Sequence, residues 1–89
     1  MTADPAPEQI RQKVAALVTE ALGASLGEHD DFFDFGGTSV LAEKVITHLS
    51  SIFPPGLTVR QFYENASVAG VAAVIHANML AHQSNPSSR

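Results

Sequence analysis

The 89-residue chain can form one small domain, and its 45% hydrophobic and 16% charged residues favour a folded core over disorder. It has no cysteine and therefore no disulfide, and a net charge of −4 with five scattered basic residues argues against a nucleic-acid partner. Because no apolar run reaches the roughly 20 residues of a membrane helix and the N-terminus does not resemble a secretory signal, we expect a cytoplasmic protein.

The first periodic segment predicts a helix from about Pro7 to Leu22. Pro7 suits the first turn of a helix, where a missing N–H costs nothing, and Gly23 suits the stop that follows the last turn. The apolar residues that recur on one helical face are Ile10, Val14, Leu17, Val18, Ala21 and Leu22.

A long connection, residues 23–38, follows the first helix and contains four of the six glycines. Loops of this length in a small domain tend to be functional. Leu26 and three phenylalanines (Phe32, Phe33, Phe35) interrupt its polar sequence, and we expect at least two of the three phenylalanines to pack into the core. Ligand binding by these rings is the less favoured alternative.

The same connection concentrates the acidic residues of the chain. Glu28, Asp30, Asp31 and Asp34 lie within seven residues, directly before a pair of glycines. Two interpretations remain open at this point: the cluster is a solvated loop, or it attracts a basic partner protein.

Three further helices follow the loop. The first of these, helix II, begins near Ser39 and should end before Pro54-Pro55-Gly56, because proline cannot continue a helix. Thr58 and Gln61 have the spacing of a capping box and should open a short helix, while Ser67 is expected to cap the last one. The apolar positions of helix II are Ala42, Val45, Ile46 and Leu49, and those of the last helix are Val68, Val71, Ala72, Ile75 and Met79.

The pattern as a whole predicts an all-α fold, a small four-helix bundle with three main helices and one short helix. No segment shows the sustained alternation of a strand. We expect a single domain over residues 1–89, with an ordered core of about 7–82 and frayed ends at 1–5 and 84–89.

The segment that could carry chemistry is Gly36-Gly37-Thr38-Ser39, at the junction of the loop and helix II. On local grounds Ser39, or Thr38, is an ordinary helix cap. The functional alternative is that an exposed serine beside two glycines bears a phosphodiester, which the free N–H groups and positive dipole of a helix N-terminus favour.

Other chemistries fit the sequence less well. The glycine pair lacks the lysine of a P-loop, and Leu41 stands where a Gly-x-Ser-x-Gly elbow needs its second glycine. The four histidines (His29, His48, His76, His82) have no metal-ligand spacing, and we predict neither a metal site nor a catalytic residue.

The run from Asp30 to Val40 resembles the peptidyl carrier family of nonribosomal peptide synthesis, a branch of the acyl-carrier-like proteins. The family pattern is Asp-x-Phe-Phe-x-Leu-Gly-Gly-x-Ser-Leu, and six of its eight fixed positions are identical here. Phe35 and Val40 each replace a leucine, which we expect to change packing alone. The segment from Leu57 to Val68 is similar to the third-helix region of that family, so the resemblance covers roughly residues 7–80.

The resemblance implies a mechanism. A phosphopantetheinyl transferase would move 4'-phosphopantetheine from coenzyme A onto Ser39, with Gly36, Gly37 and Thr38 forming the attachment site. The thiol of this arm would hold an aminoacyl or acyl group as a thioester. Adenylation, condensation or tailoring enzymes would act on it, while the chain itself, expected to be a monomer, would catalyse nothing.

Two details favour the peptidyl branch over the fatty-acid branch. Fatty-acid carriers commonly have an aspartate directly before the serine, and this chain has Thr38 there. Many members of the wider carrier family have histidine or aspartate at this position. Glu43 is the one acidic residue of helix II.

Partner enzymes are predicted to contact Val40 or Leu41, together with Phe62 and Tyr63. Val40 and Leu41 cannot both face the core, so we expect at least one to be exposed; for each of these residues core packing is the alternative.

Two other functions remain as alternatives, a polyketide-type acyl carrier and a helical interaction module that is never modified. The short lead after Met1 and the end soon after the last helix suggest a discrete carrier protein, although a trimmed chain would have the same sequence.

Overall fold

The computed structural model describes residues 6–84, and every regular element in that range is helical. The α-helices are α1 (Pro7–Leu22), α2 (Ser39–Ile52), α3 (Val59–Glu64) and α4 (Val68–Ser84), and a 3₁₀ turn at Phe33–Phe35 precedes α2. α1 packs mainly along α4, while α2 contacts α1 and α3, so the helices form a small bundle. The predicted all-α fold of three main helices and one short helix is confirmed.

The bounds of α1 follow from its two ends, as predicted. Pro7 occupies the first helical position, and the N–H of the extended residue Ala6 donates to Oε1 of Gln9 at 2.7 Å. At the other end Gly23 adopts a left-handed conformation with φ of 73°, which glycine reaches without the steric cost of a Cβ. Its N–H closes the last turn on the Thr19 carbonyl at 2.8 Å.

The starts of α3 and α4 also confirm the sequence prediction. The Gln61 N–H donates to Thr58 Oγ1 at 3.0 Å, and the Thr58 N–H donates to Gln61 Oε1 at 3.0 Å, which completes the capping box. Ser67 Oγ accepts from the Gly70 N–H at 3.0 Å and so satisfies a first-turn donor of α4.

The core combines the predicted helix faces with side chains from the loop and the turns. No polar or charged residue is buried within the described range. Burying a large apolar side chain stabilises a fold by about 1.5–3 kcal/mol, so the stability of a domain of this size depends on every large side chain in its core. The buried hydrophobic residues are Ile10, Val14, Val18, Phe32, Ala42, Val45, Ile46, Leu49, Phe53, Leu57, Phe62, Ala66, Val68, Val71, Ala72, Ile75 and Met79.

The long loop between α1 and α2 is anchored by its apolar side chains. Phe32 is fully buried, and Leu26 and Phe33 are half-buried against the core, which confirms that two of the three phenylalanines pack inward. Phe35 is exposed. The Phe32 N–H also donates to the Ala66 carbonyl at 2.7 Å, which ties the loop to the turn between α3 and α4.

Three further predictions concern the chain ends, membrane spans and metal binding. The frayed segments predicted at 1–5 and 84–89 fall outside the described residues except for Ser84, the last residue of α4. Between residues 6 and 84, no helix combines the length and apolar character that crossing a membrane requires. Over the same residues, no group of three histidine or carboxylate side chains is placed to hold a metal ion.

Candidate functional site

Thr38, and not Ser39, caps the N-terminus of α2. Thr38 has an extended backbone, and its Oγ1 accepts a hydrogen bond from the Leu41 N–H at 3.2 Å. The Thr38 carbonyl accepts the first helical bond, from the Ala42 N–H at 2.8 Å. Of the two capping residues that the sequence allowed, the structure therefore selects Thr38, and the Ser39 side chain is not used for capping.

Ser39 is the first residue of α2, and its side chain is exposed. Among residues 6–84, no acceptor is bonded to the backbone N–H groups of Ser39 and Val40. The first turn of α2 also contains no acidic residue. Because the free N–H groups and the helix dipole of a 14-residue helix both favour negative charge, this position fits a phosphate ester on the Ser39 hydroxyl.

The glycine pair shapes the entry to α2. Gly36 has a φ of 99°, in the left-handed region, and its N–H closes the 3₁₀ turn on the Phe33 carbonyl at 3.3 Å. Gly37 lies against Phe32, whose ring atoms would come within 2.3 Å of a Cβ added at Gly37. Gly36 therefore supplies a backbone conformation, whereas Gly37 supplies space beside a buried ring.

A cluster of four rings, here called the aromatic cluster (Phe32, Phe33, Phe62, Tyr63), connects the loop to α3. Phe32 meets Phe33 and Phe62 edge to face, with centroids 5.2 and 5.3 Å apart. Phe33 also contacts Tyr63, with centroids 5.0 Å apart and planes tilted by 38°. Such pairs contribute about 0.5–1.5 kcal/mol each beyond their burial, so the cluster holds the loop and α3 in one fixed arrangement.

The aromatic cluster brings Tyr63 to Ser39. The Tyr63 hydroxyl donates a hydrogen bond to Ser39 Oγ at 3.0 Å, across 24 residues of sequence. Nothing in the spacing of the sequence predicted this contact, because it depends on how α3 packs against the loop.

The predicted partner contacts divide into exposed and buried residues. Val40 is 64% exposed and Tyr63 is 46% exposed, so both are available to a partner. Leu41 is half-buried against the core, and the prediction that at least one of Val40 and Leu41 is exposed is confirmed. Phe62 is 0% exposed, and its predicted contact with a partner is wrong, because its ring fills the aromatic cluster.

The acidic cluster has a structural role in the loop. Asp31 Oδ1 accepts from the Phe33 N–H at 2.8 Å and the Asp34 N–H at 3.4 Å, which starts the 3₁₀ turn. Asp30 Oδ2 accepts from the Gly27 N–H at 2.9 Å. Sequence reasoning did not assign these bonds, although an aspartate two residues before a turn N–H is a known turn former. Attraction of a basic partner by the same residues stays a prediction.

The family model described as "Phosphopantetheine attachment site" matches residues 12–75 of the chain. That range includes the whole loop, α2 and α3, and α4 from Val68 to Ile75. The match therefore covers the geometry described above, from the turn that Asp31 starts to the aromatic cluster.

Relatives of known sequence include large synthetases. The chain is 33% identical over 90 aligned residues to the nonribosomal peptide synthetase kk1B of Curvularia clavata, which covers 94% of the chain. It is 40% identical over 73 residues to tyrocidine synthase 3 of Brevibacillus parabrevis, which covers 80% of the chain. In each case the chain spans about 1% of the length of the relative.

Among solved structures, the chain resembles BlmI, a type-II acyl-carrier protein from Streptomyces verticillus involved in bleomycin biosynthesis. The TM-score is 0.77 and the sequence identity is 31%. The similarity covers 82% of this chain and 89% of BlmI, so it extends over nearly the whole of a small carrier protein.

Proposed function

Because the chain belongs to the phosphopantetheine attachment family, whose members are non-catalytic carriers of a covalent 4'-phosphopantetheine, we propose that Ser39 bears this group. The observation that carries the proposal is that Thr38 and Ser39, although adjacent, have different roles at the start of α2. Thr38 caps α2, and Ser39 is left exposed at the first position of the helix with a hydroxyl that takes no part in capping.

The residues around Ser39 fit the attached group through its phosphate. The N–H groups of Ser39 and Val40 have no other acceptor among the described residues, and α2 directs its positive end toward them. Gly36 provides the left-handed backbone and Gly37 the contact with Phe32 that lead the chain into the helix, and Thr38 fixes where the helix starts. When bound, 4'-phosphopantetheine supplies a thiol that holds an acyl group as a thioester, which the cysteine-free chain cannot provide.

Aminoacyl or peptidyl groups are the cargo that we propose. The relatives at 33% and 40% identity are nonribosomal peptide synthetases by name, which supports the peptidyl branch. Thr38 in place of the aspartate of fatty-acid carriers supports the same branch. The alternative within the family is a polyketide-type acyl carrier, which would differ in cargo and not in the attachment at Ser39. The proposal is the same for a discrete protein and for one domain of a longer synthetase.

Carrier domains of this type interact with the catalytic domains of synthetases, and the finer assignment of partners is part of the proposal. We expect a phosphopantetheinyl transferase first, and then adenylation, condensation or tailoring enzymes. Val40 and Tyr63 are the exposed side chains near Ser39 that such partners would contact. The chain would work as a monomer, and the reactions would take place in the cytoplasm, where we expect coenzyme A to be available.

The test is the intact mass of the protein after incubation with coenzyme A and each of several promiscuous transferases. We expect a gain of one phosphopantetheine on the wild type and no gain on Ser39→Ala. Ser51→Ala is a matched control, because it removes an exposed hydroxyl at the opposite end of α2 and should be modified like the wild type. If no transferase modifies the wild type, the chain is the unmodified interaction module and the proposal fails.

Cargo is tested on the loaded protein. Incubation with ATP, single amino acids and candidate adenylation enzymes should give an aminoacyl thioester, seen as a further mass increase that hydroxylamine removes. Loading by acyltransferases with malonyl groups instead, and by no adenylation enzyme, would assign the chain to the polyketide-type alternative.

A further inference from the structure

The hydrogen bond between Tyr63 and Ser39 connects α3 to the modified residue. The Tyr63 hydroxyl donates to Ser39 Oγ at 3.0 Å, and no other side chain in residues 6–84 forms a hydrogen bond with that oxygen. The bond lies at the surface, where both side chains are exposed. A tyrosine is not needed there for packing alone, because phenylalanine would fill the same space.

Tyr63 is held in place from two sides. Its ring lies 5.0 Å from the ring of Phe33, and the preceding residue, Phe62, is fully buried. The start of α3 is fixed by the capping box, in which Gln61 Oε1 also accepts from Asn78 Nδ2 on α4 at 3.0 Å. The phenol oxygen therefore reaches Ser39 from a rigid support and needs little further ordering to make the bond.

We propose that Tyr63 is a positioning residue for the modification of Ser39, an inference that rests on the function proposed above. Donation from the Tyr63 hydroxyl occupies one lone pair of Ser39 Oγ and restricts rotation of the serine side chain. The remaining lone pair is free to attack, and the serine hydrogen is free to leave. Holding a nucleophile in one orientation accelerates its reaction by lowering the entropic part of the barrier.

Withdrawal of the Ser39 proton during the transfer strengthens this bond. Ser39 Oγ forms a bond to the pyrophosphate phosphorus of coenzyme A that carries pantetheine. The bond from that phosphorus to the oxygen that bridges the pyrophosphate breaks, and the nucleotide portion leaves with that oxygen and the electron pair. The Ser39 proton passes to a base of the transferase. Because Oγ gains negative charge as its proton leaves, a hydrogen bond donated to it is stronger at that stage than in the ground state.

The first measurement asks whether the bond exists in solution and needs no transferase. Tyr63 is the one tyrosine of the chain, so the ¹³C chemical shift of its ζ carbon reports on its hydroxyl alone. We expect this shift to differ between the wild type and Ser39→Ala, and to be unchanged in Ser51→Ala. An identical shift in Ser39→Ala and the wild type would overturn the inference.

The second measurement separates orientation from partner binding. Tyr63→Phe keeps the ring on Phe33 and removes the hydroxyl, and we expect kcat for modification to fall about two- to tenfold, with KM for the carrier unchanged. Tyr63→Ala also removes the exposed ring, so its KM should rise in addition. Ser51→Ala should match the wild type in both constants.

Three results can be told apart. A Tyr63→Phe protein with the kcat and KM of the wild type would overturn the inference and leave the proposed function intact. A raised KM with unchanged kcat would overturn it as well, because the hydroxyl would then contact the transferase and not orient Ser39. A wild type that no transferase modifies would refute the proposed function itself, while the NMR comparison would still test the hydrogen bond.

Discussion

Two helices of this chain start in similar ways but leave different groups free. α2 and α3 both begin after a threonine whose Oγ1 accepts from the N–H three residues later. At α3 that third residue is Gln61, whose side chain returns a bond to Thr58. At α2 it is Leu41, an apolar residue half-buried against the core, and no such return bond is made.

The same capping device forms a reciprocal pair of hydrogen bonds at α3 and a single bond at α2, beside the exposed Ser39; the N-terminus of α2 is here called the open end. α3 has six residues, and its capping box is braced from α4 by Asn78. α2 has 14 residues, and it places a serine at its first position, where α3 has Val59. The first two N–H groups of both helices have no acceptor among the described residues. The longer dipole and the exposed hydroxyl of Ser39 therefore distinguish the α2 end and suit it to a phosphate.

The largest expected effect concerns the glycine that lets the chain reach the open end. Gly37→Ala places a Cβ 2.3 Å from ring atoms of buried Phe32 and 2.7 Å from its carbonyl oxygen. We expect the free energy of unfolding to fall by about 3 kcal/mol, because the ring cannot shift without disturbing the aromatic cluster. Urea denaturation followed by circular dichroism measures this change.

Gly36→Ala is the matched control for that measurement. A Cβ at Gly36 meets no atom within 4 Å, so its cost is the strain of a positive φ alone, about 1 kcal/mol. Equal losses in the two variants would mean that contact with Phe32 does not explain why glycine stands at position 37.

The two capping threonines compare the helix ends directly. Thr58→Ala removes the Oγ1 that accepts from the Gln61 N–H and so breaks one half of a capping box that is also bonded to Asn78 on α4, and we expect a loss of about 1–2 kcal/mol. Thr38→Ala removes one bond, to the Leu41 N–H, and should cost about 0.5–1 kcal/mol. Thermal unfolding of both variants checks the order of the two losses.

Modification distinguishes the same two variants by function. Thr38→Ala should still accept phosphopantetheine, because Ser39 and not Thr38 provides the oxygen. Loss of all modification in a Thr38→Ala protein that remains folded would contradict this assignment.

The smallest expected effect on stability is at the exposed surface beside the open end. Val40→Glu should change the free energy of unfolding by no more than about 0.5 kcal/mol, since Val40 is 64% exposed and a carboxylate suits the first turn. We expect KM for modification to rise about fivefold, because an apolar contact with the transferase is lost. Ser51→Glu adds the same charge at the far end of α2, and a similar rise in KM there would contradict a specific contact at Val40.

The helices could be predicted because apolar residues recur in the sequence at the three- and four-residue spacing of a helix face. The bounds of α1, the capping box at Thr58 and the cap at Ser67 all follow from short-range patterns, and the structure confirms them. The run around Ser39 was also visible as a motif. The structure adds the physical role of its members, such as the turn that Asp31 starts and the space that Gly37 provides.

What the sequence did not reveal depends on contacts between distant residues. Local rules allow either Thr38 or Ser39 to cap α2, and only the backbone geometry assigns the cap to Thr38. Phe62 and Tyr63 are neighbours in a short helix, where too few turns exist to define a buried face. The packing of α3 on the loop decides that Phe62 is buried and that Tyr63 is exposed and bonded to Ser39.

The most direct test of the central claim is to locate the modification within the loaded protein. Tandem mass spectrometry of the peptide that spans residues 14–44, released by cleavage at Lys13 and Lys44, places the added mass between adjacent residues. The open end of α2 predicts that fragments ending at Thr38 are unmodified and that those including Ser39 carry phosphopantetheine. Finding the group on Thr38, or on any other residue, would contradict the claim that Ser39 is the attachment site.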